Sequence, residues 1–181
     1  INSKKIEVVK NGVNLNQINK FKQQKIQQID LNIPKNKLIV CYAGTLGMAH
    51  GLDFIINSLS KLNNKKFHFL FIGDGAEKHN LIKLSKNLKL DNVTFMERQN
   101  KKDLYNIIRN IDIALVCLKK SDTFLNVIPS KIFENVAFIK PILLGIEGES
   151  KKLINDYNVG VTFEPENQRS LIQGLNKIEN F

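Results

Sequence analysis

Short apolar runs rich in β-branched residues alternate with amphipathic stretches along most of this chain, and that alternation limits the fold more than any other feature. Leu38–Ala43, Phe67–Ile72, Asn92–Met96, Asp112–Leu118, Pro141–Leu144 and Val159–Phe163 read as strands. Between them, apolar residues recur at helical spacing: Leu52, Ile55, Ile56, Leu59 and Leu62, then Leu81, Leu84 and Leu88, then Leu104, Ile107 and Ile108. Pro129 is suited to open a further helix, with Ile132, Phe133, Val136 and Ala137 toward the core. Glu149–Tyr157 and Gln168–Ile178 complete the series. Such alternation specifies an open α/β sheet, doubly wound and mostly parallel, with helices on both faces. Asp112–Leu118 is apolar at every position after the aspartate, as befits a strand covered on both sides. Only residues 10–36, rich in Asn, Gln and Lys, break the pattern; they read as a polar, linker-like segment with a loose helix.

With 181 residues the chain is the size of one domain. Twenty-seven Lys+Arg against seventeen Asp+Glu give a net charge of +10, nearly all from lysine, since Arg98, Arg109 and Arg169 are the only arginines. That balance suits anionic partners, and equally suits a lysine-biased solvated surface. Two cysteines, Cys41 and Cys117, sit inside apolar runs. They give neither a disulfide framework nor zinc spacing and read as core residues in a reducing compartment. The best apolar run, Ile113–Leu118, falls far short of the ~20 residues a membrane-spanning helix needs. The chain opens Ile1-Asn2-Ser3-Lys4-Lys5, without methionine or apolar leader, and is expected to be a piece of a larger protein without a secretory signal.

An open α/β sheet binds ligands at the carboxyl ends of its strands. The loops there are Gly44–Gly51, Gly73–Gly75, Met96–Gln99, Leu118–Asn126 and Gly145–Glu149, and three of the five carry paired glycines. Paired glycines allow backbone to approach an anion closely, and they also serve ordinary tight turns. Gly44-Thr45-Leu46-Gly47-Met48-Ala49-His50-Gly51 lies between strand and helix but lacks the Gly-x-Gly-x-x-Gly spacing of a dinucleotide site. A Walker-type Gly-Lys-Ser/Thr and a Gly-x-Ser-x-Gly elbow are both missing. His50, His68 and His79 show no metal spacing. His68 falls within a strand and His79 on a helix surface, so His50 alone is placed to touch a ligand.

Asn126-Val127-Ile128-Pro129-Ser130-Lys131-Ile132-Phe133-Glu134-Asn135-Val136-Ala137 is the most informative stretch. On a helix, Lys131, Glu134 and Asn135 share one face opposite Phe133 and Ala137. A helix starting at the ligand end of the sheet would let Ser130 and Lys131 offer amides and a cation to phosphate, with Glu134 one turn on accepting from a ribose diol. A plain surface ion pair between Lys131 and Glu134 fits the same spacing.

Asn11-Gly12-Val13-Asn14, Ala43-Gly44-Thr45-Leu46-Gly47, Phe71-Ile72-Gly73-Asp74-Gly75 and Pro129-Ser130-Lys131-Ile132-Phe133-Glu134 follow one another in this order. Together with Val93-Thr94-Phe95, Asp112-Ile113-Ala114, Lys140-Pro141-Ile142 and Gly148-Glu149, they resemble the C-terminal, donor-binding half of family 4 (group 1) glycosyltransferases, from about Ile6 to Ile178. The Pro-Ser-Lys variant looks most like enzymes of surface-polysaccharide synthesis, including N-acetyl-fucosamine transferases of O-antigen assembly. The resemblance implies one half of a GT-B enzyme built of two Rossmann-like domains. Residues 1–181 would form the nucleotide-sugar domain, and the acceptor domain would lie N-terminal to it and be absent here. It implies a retaining transfer from a UDP- or GDP-type sugar to a cell-surface glycan or polyprenyl-linked acceptor, as in capsule or lipopolysaccharide synthesis. The enzyme would be cytoplasmic or on the inner membrane face, with no metal or other cofactor and no nucleic acid as partner.

The resemblance also assigns residues. Glu134 matches the second of the family's two glutamates, on the ribose; the first, near the donor sugar, falls on Asn126. The arginine and lysine that usually clamp the diphosphate from the first glycine loop are replaced by Thr45 and His50. That leaves Lys131 and the amides of Gly44–Gly47 and Ser130–Lys131 to hold it. Gly73 belongs to the second glycine loop, and Met96–Gln99, with Arg98, corresponds to the base-binding stretch. Two other readings stay open: a sugar-nucleotide epimerase on the same fold, and a basic module binding nucleic acid or polysaccharide. The first lacks a convincing set of acidic and histidine groups around the sugar. The second lacks an aromatic-interleaved basic stripe.

Overall fold

A computed structural model describes residues 7, 11–25, 31, 33–62 and 64–181. Six strands form one sheet: β1 (Leu38–Ala43), β2 (Phe67–Ile72), β3 (Val93–Met96), β4 (Ile113–Cys117), β5 (Ile142–Gly145) and β6 (Gly160–Thr162). Their order is β3-β2-β1-β4-β5-β6 and every pairing is parallel. The expected "mostly parallel" sheet is thus wholly parallel. The helices are α1 (Leu15–Gln23), α2 (Leu52–Leu59), α3 (Lys78–Asn87), α4 (Lys101–Asn110), α5 (Ser130–Ala137), α6 (Glu149–Tyr157) and α7 (Gln168–Ile178).

The two-residue period of the strands sorts their side chains into two cores. Val40, Tyr42, Phe67, Phe69, Phe71, Ile113 and Leu115 meet Leu52, Ile55 and Ile56 of α2, Leu81 of α3, and Leu171 and Leu175 of α7 on one face. Cys41, Leu70, Ile72, Ala114, Val116 and Leu144 meet Ile107 of α4, Ile132 of α5 and Ile154 of α6 on the other. Being covered twice explains why β4 is apolar throughout, why β2 is apolar but for His68, and why both are buried at every position. The edges, β3 and β6, are short, which limits their exposed ladder groups.

Three expectations change. The first helix stops at Leu59, and Leu62 packs against the core from the loop beyond. Part of the stretch expected to be linker-like is a docked helix: α1 buries Ile18 in a small third core with Tyr105, Ile108 and Phe138. Arg109 donates to the carbonyls of Phe21, Lys22 and Gln24 at the C-terminal end of α1, a cation where the helix dipole favours one. Residues 10, 26–30 and 32 of that stretch lie outside the described residues. Finally, Pro129 caps α5 with extended backbone (φ −62°, ψ 135°) and the helix begins at Ser130. Among the described residues no helix is long and apolar enough to cross a membrane.

Candidate functional site

The chain leaves β1 into α2 on one face and β4 into α5 on the other, although β1 and β4 are neighbours. Strand order reverses between them, and the loops diverge to open a crevice at their carboxyl ends. Two glycine loops floor it. Gly44 N–H donates to Ile72 O (2.9 Å) and Leu46 N–H to Asp74 O (2.8 Å). A Cβ on Gly73 would lie 1.9 Å from Gly44 O, so only glycine lets the loops after β1 and β2 interlock.

A cavity of about 500 Å³ opens above them, lined among others by Gly44, Thr45, Gly73, Asp74, Arg98, Lys101, Tyr105 and Glu134. A wider hollow of about 770 Å³ lies at the opposite end of β1, by Lys37 and Asp112, away from glycine loops and helix N-termini. Of the residues singled out in the sequence, Gly44, Thr45, Gly73, Arg98 and Glu134 line the crevice cavity. Gly47, His50, Asn126, Ser130 and Lys131 do not. Asn126 is exposed in the loop before α5, and Ser130 is exposed at the first position of that helix. Pro129 has no side-chain acceptor; Ile132 N–H donates to Pro129 O (3.1 Å), and the amides of Ser130 and Lys131 remain to face an anion.

Lys131 reaches the crevice from below. Its Nζ lies 4.2 Å from the centroid of the Tyr42 ring, and a Cβ on Gly44 would meet it at 2.6 Å. Burial lowers the Lys131 pKa; the Cys117 and Cys41 thiols and Glu134 act the other way. The surface ion pair with Glu134 is not among the ion pairs of the described residues: Lys131 Nζ sits over the Tyr42 ring, while Glu134 takes the Tyr105 hydroxyl. The polar face expected on α5 is also narrower: Asn135 is buried, with its Nδ2 donating to Lys131 O (2.8 Å), while Phe133, Val136 and Ala137 are only half-buried.

Glu134 points into the cavity, where Oε1 accepts from the Tyr105 hydroxyl at 3.3 Å. The sequence reading missed Tyr105 and Tyr42, because both fit helix or strand periodicity as ordinary core residues. A tyrosine rather than phenylalanine at such positions was the available signal, since a buried hydroxyl needs a partner. His50 is tied into its loop, with Nδ1 3.3 Å from Gly47 O and the ring edge-on to Tyr42. Burial, then the Lys131 charge, lower its pKa, opposed by the Gly47 carbonyl. His68 bonds Thr94 Oγ1 (2.8 Å) in the sheet, and burial pushes Cys41 and Cys117 up to about 12. Both cysteines are core groups, as expected. Among the described residues no cluster of three or more His, Cys, Asp or Glu could hold a metal ion.

A crevice with interlocked glycine loops, a cation seated on a ring face and a carboxylate one turn further along the same helix suits an anionic ligand bearing hydroxyls. Comparison with known proteins gives the family. Residues 23–180 match the family model described as glycosyl transferases group 1. This chain is a member of the group 1 glycosyltransferase family. It is 28% identical over 148 residues to the Escherichia coli (strain K12) protein named "Putative colanic acid biosynthesis glycosyl transferase WcaI", covering 80% of this chain and 36% of the relative. The chain therefore spans little more than a third of that protein. Among solved structures, a glycosyltransferase from Rickettsia africae superposes with a TM-score of 0.80 at 21% identity, over 99% of this chain and 48% of the other. Anabaena HepE, solved in complex with UDP and glucose, superposes at 0.71 with 19% identity, over 94% and 46%. The chain therefore has the fold expected from its motifs, a Rossmann-like domain of the GT-B kind.

Proposed function

We propose that this chain is the donor-binding domain of a retaining glycosyltransferase of surface-polysaccharide assembly, taking a UDP- or GDP-type sugar. The observation that carries the reading is the convergence, at the point where strand order reverses, of the Gly44 and Gly73 loops, Lys131 and Glu134. In the proposed complex the diphosphate lies against the Gly44–Gly47 amides and the first turn of α5, with Lys131 Nζ supplying charge. Glu134 accepts from the ribose hydroxyls, and the base lies toward Arg98. Bond breaking at the sugar leaves negative charge on the departing diphosphate, where fixed dipoles and a cation stabilise it most. Asn126 is assigned to the transferred sugar; as an amide it offers hydrogen bonds without charge. The UDP and glucose bound to HepE support a nucleotide-sugar donor, and the name of WcaI supports a polysaccharide product. The acceptor, a glycan or polyprenyl-linked sugar, is assigned to a domain N-terminal to this one.

The test is a titration of the chain with UDP, GDP, UDP-sugars and a random oligonucleotide at two salt concentrations. One-to-one saturation by a nucleoside diphosphate with shallow salt dependence is expected. Oligonucleotide binding that falls steeply with salt, with no nucleotide binding, would replace this reading with the basic-module one.

A further inference from the structure

Lys131 is an unusual cation for a partly buried site, because among the described residues no carboxylate or carbonyl lies within hydrogen-bonding distance of its ammonium. What it has is a ring. Tyr42 is fully buried at the end of β1, its side chain directed to the α2 face, while Lys131 comes from α5 on the other face. Its ammonium crosses the end of the sheet to sit 4.2 Å from the Tyr42 centroid. The ring is itself held by Phe71 at 6.4 Å and by the edge of His50 at 5.8 Å, and its hydroxyl donates to Thr45 O at 2.8 Å. Tyr42 therefore touches both parts of the anion site: the cation through its face and the first glycine loop through its hydroxyl.

We propose that Tyr42 is the positioning residue of the diphosphate site, its ring seating the Lys131 ammonium in place of a carboxylate and its hydroxyl setting the Gly44–Gly47 loop. The inference rests on the nucleotide-sugar reading above. A carboxylate partner would neutralise the lysine and compete with the ligand; a ring face holds the cation by its quadrupole and leaves the charge available. Removing the aromatic face from a largely buried ammonium takes away one of the influences that offset its desolvation. The charged and titratable groups that face Lys131 are Cys41 of β1, Cys117 of β4, Glu134 of α5 and His50 of the first loop. None of them is altered in the variants below.

The experiment compares Tyr42→Phe, Tyr42→Leu and a chain with pentafluorophenylalanine at position 42. Two readouts are used: the NMR titration of the Lys131 Cε resonance in the free chain, and affinity for UDP, inorganic pyrophosphate and uridine. Tyr42→Phe should leave the lysine titration in place and weaken UDP only about threefold, through the lost Thr45 bond. The fluorinated ring keeps the shape and reverses the quadrupole. It should move the lysine titration to lower pH, pull the alkaline limit of UDP and pyrophosphate binding with it, and weaken both about tenfold while sparing uridine. Tyr42→Leu should do the same if it folds. A fluorinated ring that leaves the lysine titration unmoved overturns the seat, because a merely structural ring would be insensitive to its quadrupole. Lys131→Ala separates the two readings: if it binds UDP and pyrophosphate as the unaltered chain does, the diphosphate site is wrong and the role of Tyr42 falls with it. If Lys131→Ala loses both but the fluorinated ring does nothing, only the role of Tyr42 fails.

Discussion

Glu134, inside the crevice cavity, and His50, tied into the first glycine loop beside it, acquire different chemistry. Glu134 stands in the cavity with one oxygen accepting from Tyr105, leaving acceptor capacity for a diol. Glu134→Gln keeps an acceptor for Tyr105 and should leave thermal stability unchanged, while weakening UDP by roughly 10- to 100-fold, the size of a lost charged hydrogen bond. The 2′-deoxynucleotide should bind the unaltered chain less well and lose less on substitution; calorimetric titration of both nucleotides measures this. His50 is lowered below its usual 6.5 by burial and then by the Lys131 charge. A folded state that resists protonation loses stability as pH falls from the unfolded value of about 6.5 toward the folded one, and holds it above 6.5. Its NMR titration should therefore show a midpoint below 6.5, and pyrophosphate, by offsetting the Lys131 charge, should raise that midpoint.

Periodicity placed the helices and strands close to their observed bounds, α2 ending three residues before the expected Leu62, because each strand packs on one or both faces and each helix on one. It failed where polarity disguised packing. The stretch around α1 has few apolar residues, yet Ile18 and Phe21 suffice to dock it on Tyr105, Phe21 meeting that ring edge-on at 5.1 Å. The two glycine loops are the opposite case: their composition marked them, but their interlock did not show. Gly73→Ala would place a methyl 1.9 Å from Gly44 O, backbone that cannot swing aside. It should cost about 2–4 kcal/mol of unfolding free energy, in the range of severe single substitutions, and abolish UDP binding; chemical denaturation together with the titration checks both. Gly47→Ala, whose Cβ would come no closer than 3.6 Å to a neighbour, should be far milder.

The described residues form a single sheet whose strand-end loops build the crevice, and the chain spans little more than a third of its curated relative WcaI. A ligand held in that crevice touches one wall of what, in a GT-B enzyme, is an interdomain cleft. The 181-residue chain should bind a nucleoside diphosphate yet transfer no sugar when supplied with donor and acceptor. Turnover by this chain alone, measured by release of the diphosphate, would place the acceptor site within it. Because the +10 charge is spread as lysines over separate elements, nucleotide affinity should fall little between low and moderate salt compared with a multi-phosphate ligand.

Element order, the buried strands, the strand-end glycines and the Pro129-Ser130-Lys131 start of α5 were all legible in the linear chain. They depend on local period and on residues with restricted backbone choices, which need no knowledge of what lies across the sheet. The pairing of Lys131 with Tyr42, eighty-nine positions earlier, and of Glu134 with Tyr105 was not. The first contact exists because β1 and β4 are neighbours whose helices leave on opposite faces, so that a side chain from α5 crosses the end of β1; the second exists because α4 and α5 pack on the same face. Strand order set that juxtaposition, and strand order is decided by which buried faces fit together over the whole domain.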